Sequence, residues 1–167
     1  MLFRSLIGLC TTNGGLFLAP WGGATPTFGN NPMGVAIPTA KSYPIMLDIA
    51  MSTVAMSKVS LSLAQGHGIP PGWYMDSEGR PTTDPADFPD GLGVPIAEHK
   101  GYGLALLMEI LSGVLTGAKF GLDHEFRDSG AESLDDLGHF FLAINPALFM
   151  PIEQFKDRVE EIGRAHV

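Results

Sequence analysis

Apolar residues in this chain fall into short runs separated by glycine and proline. Runs at 6–11, 16–19, 35–38 and 45–50 have the length of strands, and a loop at 20–34 carrying Gly22, Gly23, Pro26, Gly29 and Pro32 divides them into two pairs. Residues 52–65 then follow a helical pattern that Gly66, Gly68, Pro70 and Pro71 bring to an end. Gly72-Trp73-Tyr74-Met75 fits a strand turning at Asp76-Ser77-Glu78-Gly79, and 80–97 reads mostly as loop. The longest apolar run predicts a helix over 101–118. A late strand follows at 138–145, and 151–164 reads as an amphipathic helix with Ile152, Phe155, Val159 and Ile162 on one face. Helices and strands mix without regular βαβ alternation. The expected class is therefore α+β, with a mainly antiparallel or mixed sheet covered by helices, rather than a doubly wound sheet.

Composition narrows the partners. With 167 residues and 45% hydrophobic content the chain is long enough to bury a core and about the size of one domain. Charged residues make up only 17%, against roughly 25% in ordinary soluble domains, which points to a large subunit interface. A net charge of −8 without a cluster of lysine and arginine argues against nucleic acid. Cys10 is the single cysteine, so neither an internal disulfide nor a thiolate metal cluster can form within the chain, and a reducing cytoplasm is expected. Met1-Leu2-Phe3-Arg4 does not begin an apolar signal segment. The 101–118 run approaches membrane-spanning length, but Glu109 in its middle would cost about 3 kcal/mol at a bilayer centre. It is read as a buried helix, with no membrane partner.

Two junctions carry candidate chemistry. In His99-Lys100-Gly101-Tyr102-Gly103 a lysine stands at the start of a helix, where the partial positive charge of the first turn disfavours a cation unless an anion sits against it. The flanking glycines permit close approach of a ligand; a surface lysine in a glycine turn is the alternative. Asp48 lies at the exit of the 45–50 strand just before a helix start, a usual place for ligands in α/β proteins. A capping carboxylate explains Asp48 equally well, as it does Ser52 and Thr53. Among His67, His99, His124, His139 and His166 no two have a metal-ligand spacing on one helix, although Asp123 and Glu125 flank His124; all five read as loop residues. GxSxG, Walker and full dinucleotide motifs are absent from the sequence.

Five motifs in order carry a family resemblance: Trp21-Gly22-Gly23, Gly29-Asn30-Asn31-Pro32, Leu47-Asp48-Ile49-Ala50, Pro81-Thr82-Thr83-Asp84-Pro85 and His99-Lys100-Gly101-Tyr102-Gly103-Leu104. From about residue 5 to about 162 the chain resembles the type-2 malate/L-lactate dehydrogenases, a family that also holds ureidoglycolate and sulfolactate dehydrogenases, diketogulonate reductase and piperideine-2-carboxylate reductase. The resemblance implies a non-Rossmann nicotinamide-binding fold and a homodimer. It also implies hydride transfer between NAD or NADP and a small 2-hydroxy or 2-oxo acid. It places Asp48, Ile49, Ala50, His99 and Lys100 along the cofactor and Thr12, Asn13 and Gly14 near its nicotinamide end, and gives Asp48 a part in proton transfer.

Family members also carry an N-terminal helical region with a Ser-His pair, whose histidine is the general acid/base, and a C-terminal segment with further cofactor contacts. Neither is matched here, and Gly163-Arg164-Ala165-His166-Val167 departs from the family pattern. The chain thus reads as one domain, the central cofactor-binding part of a longer enzyme. Two function classes stay open: the dehydrogenase, and a non-catalytic fragment that keeps the fold for packing or dimerisation.

Overall fold

The computed structural model describes residues 5–124 and 136–164, so the readings that rest on 1–4, Glu125 and 165–167 lie outside the described residues. The chain divides into two compact units interleaved in sequence: Met1–Cys10, Met33–Ile49 and Phe141–Val167 form the first, Thr11–Pro32 and Ala50–Phe140 the second.

The first unit holds most of a four-stranded sheet. Its strands are β1 (Ile7–Thr12), β2 (Met33–Ile37), β3 (Ile45–Ile49) and β7 (His139–Ile144), in the order β3-β2-β1-β7. β2 and β3 pair antiparallel, with Gly34 opposite Asp48 and Val35 opposite Leu47. Gly34 leaves room for Cys10 of β1, since a Cβ there would lie 2.9 Å from Cys10 Sγ. Ile45, Met46 and Leu47 of β3 are all exposed, as are Phe141, Leu142 and Ile144 of β7. Helix α3 (Ile152–Arg164) follows a 3-10 turn at Pro146–Leu148 that Asn145 caps by accepting from the Ala147 N–H. Lys41, in the β2–β3 connection, pairs with Glu160 of α3 at 3.3 Å.

The second unit contains the hydrophobic core, built on Phe17, Leu18, Met51, Val59, Ile69, Tyr74, Leu92 and Met108. Strands β4 (Tyr74–Met75), β5 (Pro81–Thr82) and β6 (Leu92–Gly93) form a small antiparallel sheet in the order β5-β4-β6. The turn joining β4 to β5 falls where the sequence places it. Asp76 accepts from the Glu78 and Arg80 N–H groups, and Gly79 takes the left-handed φ of +79° that closes the turn. Tyr74 is fully buried, and its hydroxyl donates to the Phe88 and Gly91 carbonyls.

Four boundaries differ from the sequence reading. Residues 16–19 form isolated bridges from Leu18 to Phe28 and Gly93 instead of a strand. Helix α1 begins only at Met56 (Met56–Ala64), because Ser52 bridges Pro95 and the Thr53 N–H donates to the Val94 carbonyl. The 80–97 stretch contains β5, β6 and a 3-10 turn at Pro85–Asp87, where the Pro-Thr-Thr-Asp-Pro motif is a capping device: Asp84 accepts from the Ala86 N–H and Thr82 donates to Asp87. The long helix is α2 (His99–Glu109) continued by one π turn over Ile110–Val114, and Gly117 at φ +79° ends it.

Candidate functional site

The start of α2 is built by constraint. Ala97 and Glu98 hold φ of 49° and 59°, a left-handed region that residues with side chains rarely occupy. Such backbone costs roughly 1–3 kcal/mol per residue and persists only where surrounding structure dictates it. Here the Glu98 N–H donates to Pro95, the Lys100 N–H to Ala97 and the Tyr102 N–H to Glu98. Gly101 is buried beneath this turn, and any Cβ on it would overlap the Ile96 carbonyl oxygen. No side chain caps the helix and its first turn carries no acid, while His99 and Lys100 are both exposed. Among the described residues Lys100 makes no ion pair. The positive end of a helix dipole and a free ammonium therefore share one exposed turn, an arrangement suited to a phosphate or carboxylate.

The segment after β3 is fastened to this turn. The Met51 N–H donates to the Asn30 carbonyl at 2.7 Å, and the Met51 carbonyl accepts from the Ile96 N–H at 2.9 Å. Ala50 thus precedes a residue tied both to the Gly-Asn-Asn-Pro loop and to the lead-in of α2. Ser52 is buried, and its hydroxyl has no hydrogen-bond partner among the described residues. In the first unit Asp48 is exposed on β3 opposite Gly34, with half-buried Ile49 opposite Met33.

Asn13 is placed differently from the exposed candidates. Its side chain is buried: Oδ1 accepts from the Gly138 N–H at 2.9 Å, and Nδ2 donates to the Lys119 carbonyl at 2.7 Å and to His124 Nε2 at 3.0 Å. Its polar side-chain atoms are committed to the protein interior. Gly14 beside it is half-buried, and its carbonyl packs so tightly on Gly29 that a Cβ on Gly29 would lie 2.6 Å from it.

Glu109, Asn31 and His124 were not singled out as functional by their spacing. Together they form a buried polar cluster in the second unit, and His124 is buried where the sequence suggested an ordinary loop residue. The signal present was a lone carboxylate inside an apolar helix, and two asparagines in a turn. Among the described residues no group of histidine, cysteine and acid side chains is arranged to hold a metal. No described helix is long and apolar enough to cross a membrane.

This fold and these motifs match a known family over residues 2–166, and the chain belongs to the malate/L-lactate dehydrogenase family. It is 40% identical over 162 residues to a (2R)-3-sulfolactate dehydrogenase (NADP(+)) of Chromohalobacter salexigens, covering 97% of this chain and 48% of that protein. A malate dehydrogenase of Pyrococcus horikoshii is 34% identical, with 95% and 45% covered. Among solved structures, the sulfolactate dehydrogenase of Methanocaldococcus jannaschii superposes with a TM-score of 0.82 at 37% identity, over 95% of this chain and 45% of that one. The malate dehydrogenase of Entamoeba histolytica gives 0.83 at 28% identity, over 96% and 48%. The chain thus spans about half the length of the curated relatives it matches.

Proposed function

We propose that this chain is the central cofactor-binding part of an NAD- or NADP-dependent oxidoreductase that moves hydride between the nicotinamide and a small 2-hydroxy or 2-oxo acid such as malate or lactate. The observation that carries the reading is the first turn of α2, where exposed Lys100, with no ion pair among the described residues, stands at a helix N-terminus over a glycine that admits no side chain. When bound, a nicotinamide cofactor supplies or accepts the hydride. Its diphosphate is the anion this turn suits. The Lys100 ammonium, at the positive end of the helix, binds that anion, with His99 adjacent. Asp48 and Ile49 of the first unit, and Gly14 and Ala50 of the second, are assigned to the cofactor by family resemblance. Asn13 belongs to the same assignment; its buried side chain supports it as the anchor of the Gly14 segment rather than as a direct contact. Asp48 is further assigned an assisting part in proton transfer. A homodimer in the cytoplasm completes the reading.

Hydride transfer to a keto acid also needs a proton donor within hydrogen-bond reach of the forming alkoxide, usually a histidine near neutral pH. No histidine of this chain matches the family's catalytic one, so the 167-residue chain binds cofactor without turning over substrate. General acid catalysis commonly supplies about 10²–10⁴-fold, and its loss leaves activity near background.

Titration with NADH and with NADPH under fluorescence detection tests the reading, followed by absorbance assays with pyruvate and oxaloacetate. Saturable binding without turnover supports it. Failure to bind either cofactor favours the second reading, a packing or dimerisation module, which the exposed leucines of α2 support. Robust turnover would place a proton donor inside the chain, with His99 the first to replace.

A further inference from the structure

We infer that Glu109 is a positioning residue for the cofactor-binding segments of the second unit, an inference that rests on the nicotinamide reading above. The buried Glu109 carboxylate gathers donors from three separate stretches of chain. Oε2 accepts from Asn31 Nδ2 at 2.7 Å and Oε1 from the Gly121 N–H at 2.8 Å, while Asn13 Nδ2 lies 3.5 Å from Oε1. His124 Nε2 is also near, 3.9 Å from Oε1.

The polarity of the cluster follows from one bond. Gly138 N–H donates to Asn13 Oδ1, so the Asn13 amide is oriented with Nδ2 toward His124, and an NH2 group can only donate. Glu109 is held by N–H donors from the Asn31 side chain and the Gly121 main chain. A buried carboxylate satisfied this way contributes little net stability compared with a leucine of similar size. What it does supply is distance: charge-assisted bonds fix their donors within a few tenths of an ångström.

Those donors lead to the candidate binding segments. Asn31 donates to the Ala105 carbonyl at 3.0 Å as well as to Glu109, so two turns of α2 grip it, and these bonds hold its backbone at a φ of 34°. The neighbouring Asn30 carbonyl holds Met51, next to Ala50, and Met51 holds Ile96 beneath Gly101. Gly29 rests on the Gly14 carbonyl, and Asn13 is tied to the same cluster. Glu109 thus sits at the node that sets the Gly14 segment, the Ala50 segment and the Lys100 turn relative to one another.

The test compares Glu109→Gln with Val59→Ala. The first replaces an acceptor oxygen by an NH2 that meets Asn31 Nδ2 or the Gly121 N–H donor to donor. The second removes buried volume from α1, away from the cluster. Amide hydrogen exchange in the free chain is measured with the affinity for whichever nicotinamide cofactor the wild type binds. Glu109→Gln is expected to accelerate exchange about tenfold in 11–16, 28–32 and 94–102 together and to weaken cofactor binding about 5–30-fold. Val59→Ala is expected to accelerate exchange in 56–64 and leave affinity within about twofold, even at the same loss of melting temperature. Should Glu109→Gln not fold, Asn31→Gly cuts the same link from its other end, at a backbone angle glycine accepts, and carries both expectations. A Glu109→Gln chain that binds cofactor like wild type, or whose exchange rises uniformly, overturns the positioning role alone. A wild type that binds neither NADH nor NADPH overturns the nicotinamide reading and this inference with it.

Discussion

Gly101 and Ile96 approach so closely that the Ile96 carbonyl oxygen occupies the space a Cβ on Gly101 would need. The contact joins the strained Ala97–Glu98 turn to the first turn of α2, and neither partner can give way, since one is backbone and the other lies buried in a helix. Gly101→Ala is expected to destabilise the chain by about 1–3 kcal/mol, the usual cost of overpacking. The shift in urea midpoint at unchanged slope measures it. A midpoint equal to wild type would show that the turn relaxes freely.

Lys100 makes no ion pair among the described residues, so its replacement separates binding from folding. A charge-assisted contact contributes roughly 1.5–3 kcal/mol, so Lys100→Ala is expected to weaken nicotinamide-cofactor binding by about 10–100-fold. Calorimetry gives the affinity and thermal denaturation the control, with the melting temperature unchanged.

Asp76 and Lys41 contribute to the pH dependence of stability with opposite sign. The Arg80 backbone N–H, joined by its guanidinium 2.8 Å away, holds the Asp76 carboxyl below its usual 3.8. Its stabilising effect is present above that value and is lost as pH falls through the lowered folded pKa. Glu160 raises Lys41 above 10.5 by hydrogen bonding and charge, so that contribution is present below 10.5 and is lost as pH rises through the raised value. Arg80→Ala is expected to return only part of the Asp76 shift, because the largest cause is a main-chain donor that the substitution leaves in place. A carboxyl NMR titration of both chains measures this, and full recovery of 3.8 in the variant would refute the main-chain assignment.

Gly101, Ala105 and Met108 of α2 are buried, while Leu104 and Leu107 of α2 and Ile110 of the π turn are exposed. An apolar face of this kind seeks a cover. Sedimentation at micromolar concentration is expected to show a dimer, and Leu107→Glu to shift it toward monomer. A monomeric wild type would remove the expectation.

Sequence alone settled the features that depend on neighbours in the chain. The turn at Asp76-Ser77-Glu78-Gly79, the end of α1 at Gly66, the amphipathic α3 and the family motifs are all short-range patterns in which each residue's own preference agrees with the fold. The exposed Lys100 turn was legible for the same reason, since a lysine at a helix start is visible in five letters. Only tertiary structure turned 16–19 into isolated bridges, because Leu18 is shared between nearby Phe28 and Gly93, which lies far along the chain. It likewise delayed the start of α1, where pairing of Ser52 with Pro95 outweighs helical preference. The Glu109 cluster was illegible for the same cause: Asn13, Asn31, Glu109 and His124 are separated by up to 111 residues. No local pattern marks four polar side chains as mutual partners until folding removes them from water and makes each bond between them obligatory.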